Sequence, residues 1–218
     1  MIPKKSQNSK YKHEFVMGKW YNEITIIKKE CIRMSSARTI DKPRLSIKFQ
    51  TLAAIAAIVG AVAIPQLFHV MGAVSGLGTK LGETFLPMHL PIILAGLLAG
   101  PWAGAAAGLL GPLASSLLSG MPGTVMFPFM MIELCAYGLI SGLLRTVKLP
   151  TVGKVLAAQI GGRAVRAAAI LFSVYVLGNT ALNPAVILTS ITAGIFGIVL
   201  QWTLIPLIVF RVEKAGKE

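Results

Sequence analysis

The chain divides into a polar first quarter and a long apolar remainder. Between Phe49 and Phe210 there are 162 residues and only eight charges: Lys80, Glu83, Glu133, Arg145, Lys148, Lys154, Arg163 and Arg166. Six apolar segments are read there, at about 48–71, 86–100, 102–118, 124–144, 155–177 and 184–210. A membrane-spanning helix needs about 20 apolar residues, within a range of about 17–25. Segments two and three are short and meet at Gly100-Pro101. They suit one re-entrant hairpin as well as two spans whose ends neighbouring helices shelter. The reading adopted is six spans, an all-α membrane protein, with residues 1–47 a basic tail and 48–218 the transmembrane domain.

Composition removes the main alternatives. The 218 residues are 55% hydrophobic and 13% charged, whereas a soluble domain carries about 25% charged residues. A soluble core of this size would lack the polar surface that keeps it dispersed. The net charge of +13 is a topology signal rather than a nucleic-acid footprint. Lys and Arg favour the cytoplasmic side of a membrane. With the N-terminus inside and six spans, 18 of the 21 basic residues fall on the cytoplasmic side, and both termini are cytoplasmic.

The tail carries twelve basic and four acidic residues up to Lys48. It reads as a solvated extension, with a weakly patterned amphipathic stretch at Phe15–Ile27. Lys29-Glu30 can be encoded by a ribosome-binding sequence suitably placed before Met34, which makes Met34 an alternative start. Cys31 and Cys135 are too differently placed for a disulfide, and no His/Cys cluster has metal-ligand spacing. No nucleotide-binding Gly-Lys-Ser/Thr loop, His-Glu-x-x-His or Gly-x-Ser-x-Gly motif occurs. The expectation is a transporter component that is not an enzyme, has no cofactor, and takes energy from a gradient or a partner.

The chemistry that remains is intramembrane charge. Glu133 lies mid-segment four, and Arg163 and Arg166 lie mid-segment five. Each ionised group at the bilayer centre costs on the order of 2.5–3.5 kcal/mol, so such groups are functional candidates by default. A short loop joins these segments, so Glu133 is expected to meet one Arg and leave the other for a ligand. Which Arg is left open, with Arg166 the preferred ligand contact because Arg163 lies nearer the cytoplasmic end. A purely structural ion pair is an equal reading.

Around these charges, His89 stands between Pro87 and Pro91, and residues 84–91 suggest a lid or pocket wall. Phe129, Met130, Tyr137, Tyr175 and Asn179 supply aromatic and polar groups of the kind ligand pockets use, although each also suits core or interfacial packing. Ala53, Ala57 and Ala61 recur every four residues. That spacing permits close helix approach, either inside the bundle or against another membrane protein.

The stretch from Phe85 to Leu144 carries Pro-Met-His-x-Pro, Leu-Ala-Gly-x-x-x-Gly-Pro, Ser-Gly-Met-Pro and Glu133-x-x-x-Tyr137-Gly138. In these motifs it resembles the substrate-binding (S) component of energy-coupling factor transporters, and the likeness covers most of 51–210. The resemblance implies a six-helix component of a bacterial or archaeal plasma membrane. Such a component binds a vitamin or vitamin precursor from outside, and it docks on a transmembrane scaffold driven by two ATPase subunits. It also implies that the Ala53, Ala57 and Ala61 row meets the scaffold. The loop after helix one would cover the ligand, with helices four to six lining the site. His89, Glu133, Arg166 and Tyr137 are then the first binding candidates, followed by Phe129, Met130, Tyr175 and Asn179. The aromatics would stack on a flat heterocycle. A pyrimidine, pyridoxine or benzimidazole-type ring suits a carboxylate with aromatics, and pantothenate suits an exposed Arg. An autonomous secondary transporter or channel is the competing reading.

Overall fold

A computed structural model describes residues 45–215. The basic tail up to residue 44, including Phe15–Ile27 and Met34, lies outside the described residues. The described chain is helical, with no strand among its residues. Helix α1 spans Ile47–Val74, α2 Lys80–Phe85, α3 His89–Ala99, α4 Pro101–Ser119 and α5 Phe127–Leu143. A 3-10 turn at Leu144–Thr146 follows, then α6 Thr151–Tyr175, α7 Val186–Ala193 and α8 Ile195–Ala215.

Taking α2 with α3, and α5 with the 3-10 turn, six stretches among the described residues are long and apolar enough to cross a membrane. Segments two and three are thus separate helices, broken at Gly100 with Pro101 opening α4, a position where the missing N–H does no harm. Large apolar side chains such as Leu52, Val59, Trp102, Leu117 and Phe196 stand exposed. In water that surface would demand a partner, whereas in a bilayer it faces lipid. The protein is a multi-pass membrane protein.

Two expected boundaries shift. Segment two starts at Lys80 rather than Leu86, because α2 adds a turn and a half before the chain breaks at Leu86–Met88. The sixth segment is not one helix from Pro184. It is α7, an interruption at Gly194, and then the spanning helix α8. Both interruptions lie inside apolar sequence, so hydropathy does not mark them. Lys154, counted with the loop between segments four and five, sits in the first turn of α6, where its Nζ donates to the Arg145 carbonyl at 3.0 Å.

The middle of the bundle is a seam of α3, α4 and α5 packed backbone to backbone. A Cβ on Gly104 would overlap the Gly138 backbone, and one on Gly108 would overlap the Leu134 carbonyl. Small residues give this approach without a hydrophobic drive between helices. The seam fixes the depth and rotation of α5, and with them the position of Glu133.

Helix α1 lies on the seam through the alanine row. Ala57 and Ala61 are 6% and 0% exposed, and Ala53 is half-buried against Ala99 and Ala103. Ala61 faces Gly111 of α4. The row expected to meet a scaffold is therefore turned into the bundle here, where close helix approach uses it. The exposed face of α1 carries Leu52, Ile55 and Val59 instead.

Candidate functional site

Glu133 anchors the site. It projects from α5 and is 1% exposed. Its Oε1 accepts the Tyr137 hydroxyl at 3.0 Å, one helical turn along the same face. Its Oε2 accepts Nη1 of Arg166 at 2.9 Å, which ties α5 to α6. The pairing left open by the sequence is thus Glu133 with Arg166. A second nitrogen of Arg166, Nη2, points to the Met126 sulfur at 3.8 Å. His89 opens α3 beside this pair, its Nε2 4.0 Å from Glu133 Oε1 and its ring edge-on to Tyr137 with centroids 5.1 Å apart.

These groups face a cavity of about 480 Å³. Its walls come from the far half of α1 (Pro65, His69), from α2 and the break after it (Thr79, Glu83, Leu86 to Met88), and from Ser115 and the Met121–Gly123 turn. Met126, Met130 and Glu133 close one side, Arg163 and Arg166 another, and Val186, Thr189, Ser190 and Ala193 of the α7 region a third. The volume lies within the range of small-molecule sites.

The wall at Leu86 is held by an unusual arrangement. Leu86 has φ 48°, a left-handed conformation that disfavours a branched side chain. Its carbonyl accepts the His89 N–H at 3.1 Å and Gln201 Nε2 at 3.2 Å. Gln201 in turn accepts from Gln159 Nε2 at 2.9 Å, and Gln159 accepts from Trp202 Nε1 at 2.7 Å. Gly194 and Gly197 leave room for this corner: a Cβ on Gly194 would meet Leu86 Cδ1 at 2.6 Å, and one on Gly197 would meet the Phe85 carbonyl at 2.5 Å. The break between α2 and α3 is therefore seated against the break between α7 and α8.

Of the residues the sequence singled out, His89, Glu133, Arg166 and Met130 line the cavity. Tyr137 is fully buried behind Glu133 and orients the carboxylate rather than facing the space. Phe129 is buried with Ile170 and Leu182. Tyr175 is 74% exposed. At about 100° per residue, nine positions after Arg166 place it on the opposite side of α6. Asn179 closes the turn after α6, donating to Ser173 Oγ at 3.2 Å and accepting from the Ala181 N–H at 3.0 Å.

The lining contains no Phe, Tyr or Trp, so the expected aromatic stack has no member at the cavity wall. Four methionines (Met88, Met121, Met126, Met130) and the rings of His69 and His89 take that place. Thioethers are polarisable and adapt to flat or irregular ligands. Sequence reasoning undervalued Arg163, His69 and the Met88 and Met121 side chains, and it missed the Gln159–Gln201 relay. The i, i+3 spacing of Arg163 and Arg166 was the available signal, because it puts both on one face of α6.

A family model for the substrate-specific component of ECF transporters matches residues 50–209. No curated protein and no solved structure matches the chain.

Proposed function

Since the chain belongs to the substrate-specific components of energy-coupling factor transporters, we propose that it captures a vitamin or vitamin precursor in the cavity beside Glu133, for uptake driven by partner ATPases. Components of this family are transporter subunits rather than enzymes, and membership implies association with the scaffold and ATPase subunits. The observation that carries the finer reading is the polar floor of the cavity. A carboxylate, two guanidinium groups and an imidazole converge within the spanning segments beside an open space of small-molecule size.

Orientation supports capture from outside. Arg145, Lys148 and Lys154 cluster at the α5–α6 connection, and the cavity is walled by the far half of α5 and the middle of α6. If basic loops stay cytoplasmic, the cavity opens outward. His89, Glu133, Arg166 and Met130 are the proposed ligand contacts, with Tyr137 positioning Glu133. Phe129, Tyr175 and Asn179 are assigned to packing, the lipid boundary and a turn.

An autonomous proton-coupled carrier would need an acid free to exchange a proton. Glu133 is committed to Arg166 and Tyr137, which disfavours that role. The test combines transport with ligand recovery. Uptake of the vitamin should require co-expressed scaffold and ATPase subunits, and mass spectrometry should recover it from the purified chain. Glu133→Gln should lower that recovery at least tenfold. Uptake by the chain alone would overturn the reading in favour of the secondary carrier.

A further inference from the structure

Resting on that reading of the cavity, we propose that the ligand is a monocarboxylate whose carboxylate is received by Arg163. The argument is one of charge and of used valences. At the cavity floor there is one acid and there are two guanidinium groups. Both oxygens of Glu133 are engaged, one by Tyr137 and the other by Arg166 at 2.9 Å. Arg163 lines the same cavity and also the narrow recess behind the Glu133–Arg166 pair. Its Nε is buried without a partner, as is that of Arg166, but Arg166 is paired with Glu133 whereas Arg163 makes no ion pair or hydrogen bond among the described residues.

The other ionisable groups facing the cavity do not satisfy it. Glu83 is exposed at the mouth and accepts from the Thr79 hydroxyl at 3.3 Å. His69 and His89 add no negative charge. An uncompensated cation at membrane depth is costly, and a guanidinium offers a planar fork that fits a carboxylate through paired N–H···O bonds. One surplus positive charge matches a monoanion, whereas a phosphate dianion would call for a second free cation. The Met130 and Met126 thioethers beside the charges suit the apolar body of such an acid.

Matched pairs that differ only in the acid group test this. The full chain in detergent or nanodiscs is titrated with pantothenate against panthenol, biotin against biotinamide, and nicotinate against nicotinamide. Small molecules released on denaturation are identified by mass spectrometry. The expected result is a carboxylic acid among the released or bound compounds, bound at least tenfold more tightly than its neutral counterpart. Arg163→Gln should abolish that preference, bringing the affinity for the acid down to that of its neutral analogue. Arg163→Lys should restore part of it. An unaltered elution profile and melting temperature identify both variants as folded. A released vitamin with no ionised acid, or an acid preference that survives Arg163→Gln, would overturn the carboxylate assignment while leaving the carrier reading intact. If no vitamin is released and no probe binds, both readings fall.

Discussion

The α3–α4–α5 seam and the surrounding helices α1, α6 and α8 are built on different terms. In the spanning stretch Lys80–Ala99, half of the most apolar window is buried within the bundle, against 22% for both Ile47–Val74 and Ile195–Ala215. The seam gains its contacts from glycine, which lets main chains touch at Gly104–Gly138 and Gly108–Leu134. The outer helices meet it through side chains and polar links and turn most of their surface outward. The site straddles the two regions. Glu133, Tyr137 and His89 stand on the seam, while Arg163, Arg166 and Thr189 stand on the outer elements. The Glu133–Arg166 pair is a direct bond between them. The carboxylate therefore stands on the closely packed part and its guanidinium partner on the more exposed part.

The sharpest way to break this contrast is Gly138→Val. Two backbones in contact cannot make room as a flexible side chain can, so the loss should be about 3 kcal/mol or more. It is read as loss of a monodisperse peak in detergent and a large fall in melting temperature. A well-folded Gly138→Val protein would dissolve the distinction between seam and wall. Gln201→Leu should have a middle effect. It removes one donor to the Leu86 carbonyl and strands Gln159 without its acceptor, at a cost of about 1–3 kcal/mol. Limited proteolysis should show faster cutting near residues 77–88, with the seam unaffected. Tyr175→Ala should have the smallest effect, under about 0.5 kcal/mol with ligand recovery unchanged, because the side chain is 74% exposed on the far side of α6. A large loss of binding in Tyr175→Ala would move the site boundary beyond the cavity described.

The spans were legible because six apolar stretches separated by Gly, Pro and charge leave few other readings, and the family was legible from motifs concentrated in the seam. The irregular stretch at 84–91 was legible from Pro87 and Pro91, but the break at Gly194 was not, and neither was the seating of one on the other, which is fixed by partners 115 residues away or across the bundle. The alanine row was legible as a close-packing surface, but its direction was not: a four-residue spacing reads the same whether it faces inward or outward. Intramembrane charge pointed to the groups that line the cavity, yet only the fold separates Arg166, paired with Glu133, from Arg163. Aromatic residues were overvalued because helix phase, not proximity in sequence, decides which side chains reach the cavity. Met126 and Met130 share the Glu133 face of α5, and Tyr175 does not share the Arg166 face of α6.

The corner where Leu86 rests against Gly194 has a mechanical consequence. A continuous helix resists bending because its main-chain bonds must lengthen or break together, whereas a chain already interrupted at one residue can swivel there with the turns on either side intact. Opening α2 away from α8 at this corner would break the Gln201 link to the Leu86 carbonyl, a net loss on the order of 1 kcal/mol, and separate the Leu86 side chain from Gly194. The corner is thus a pivot beside a stiff post, and a swing of α2 there would also part the Phe85 backbone from Gly197 while leaving the helices that carry Glu133 intact.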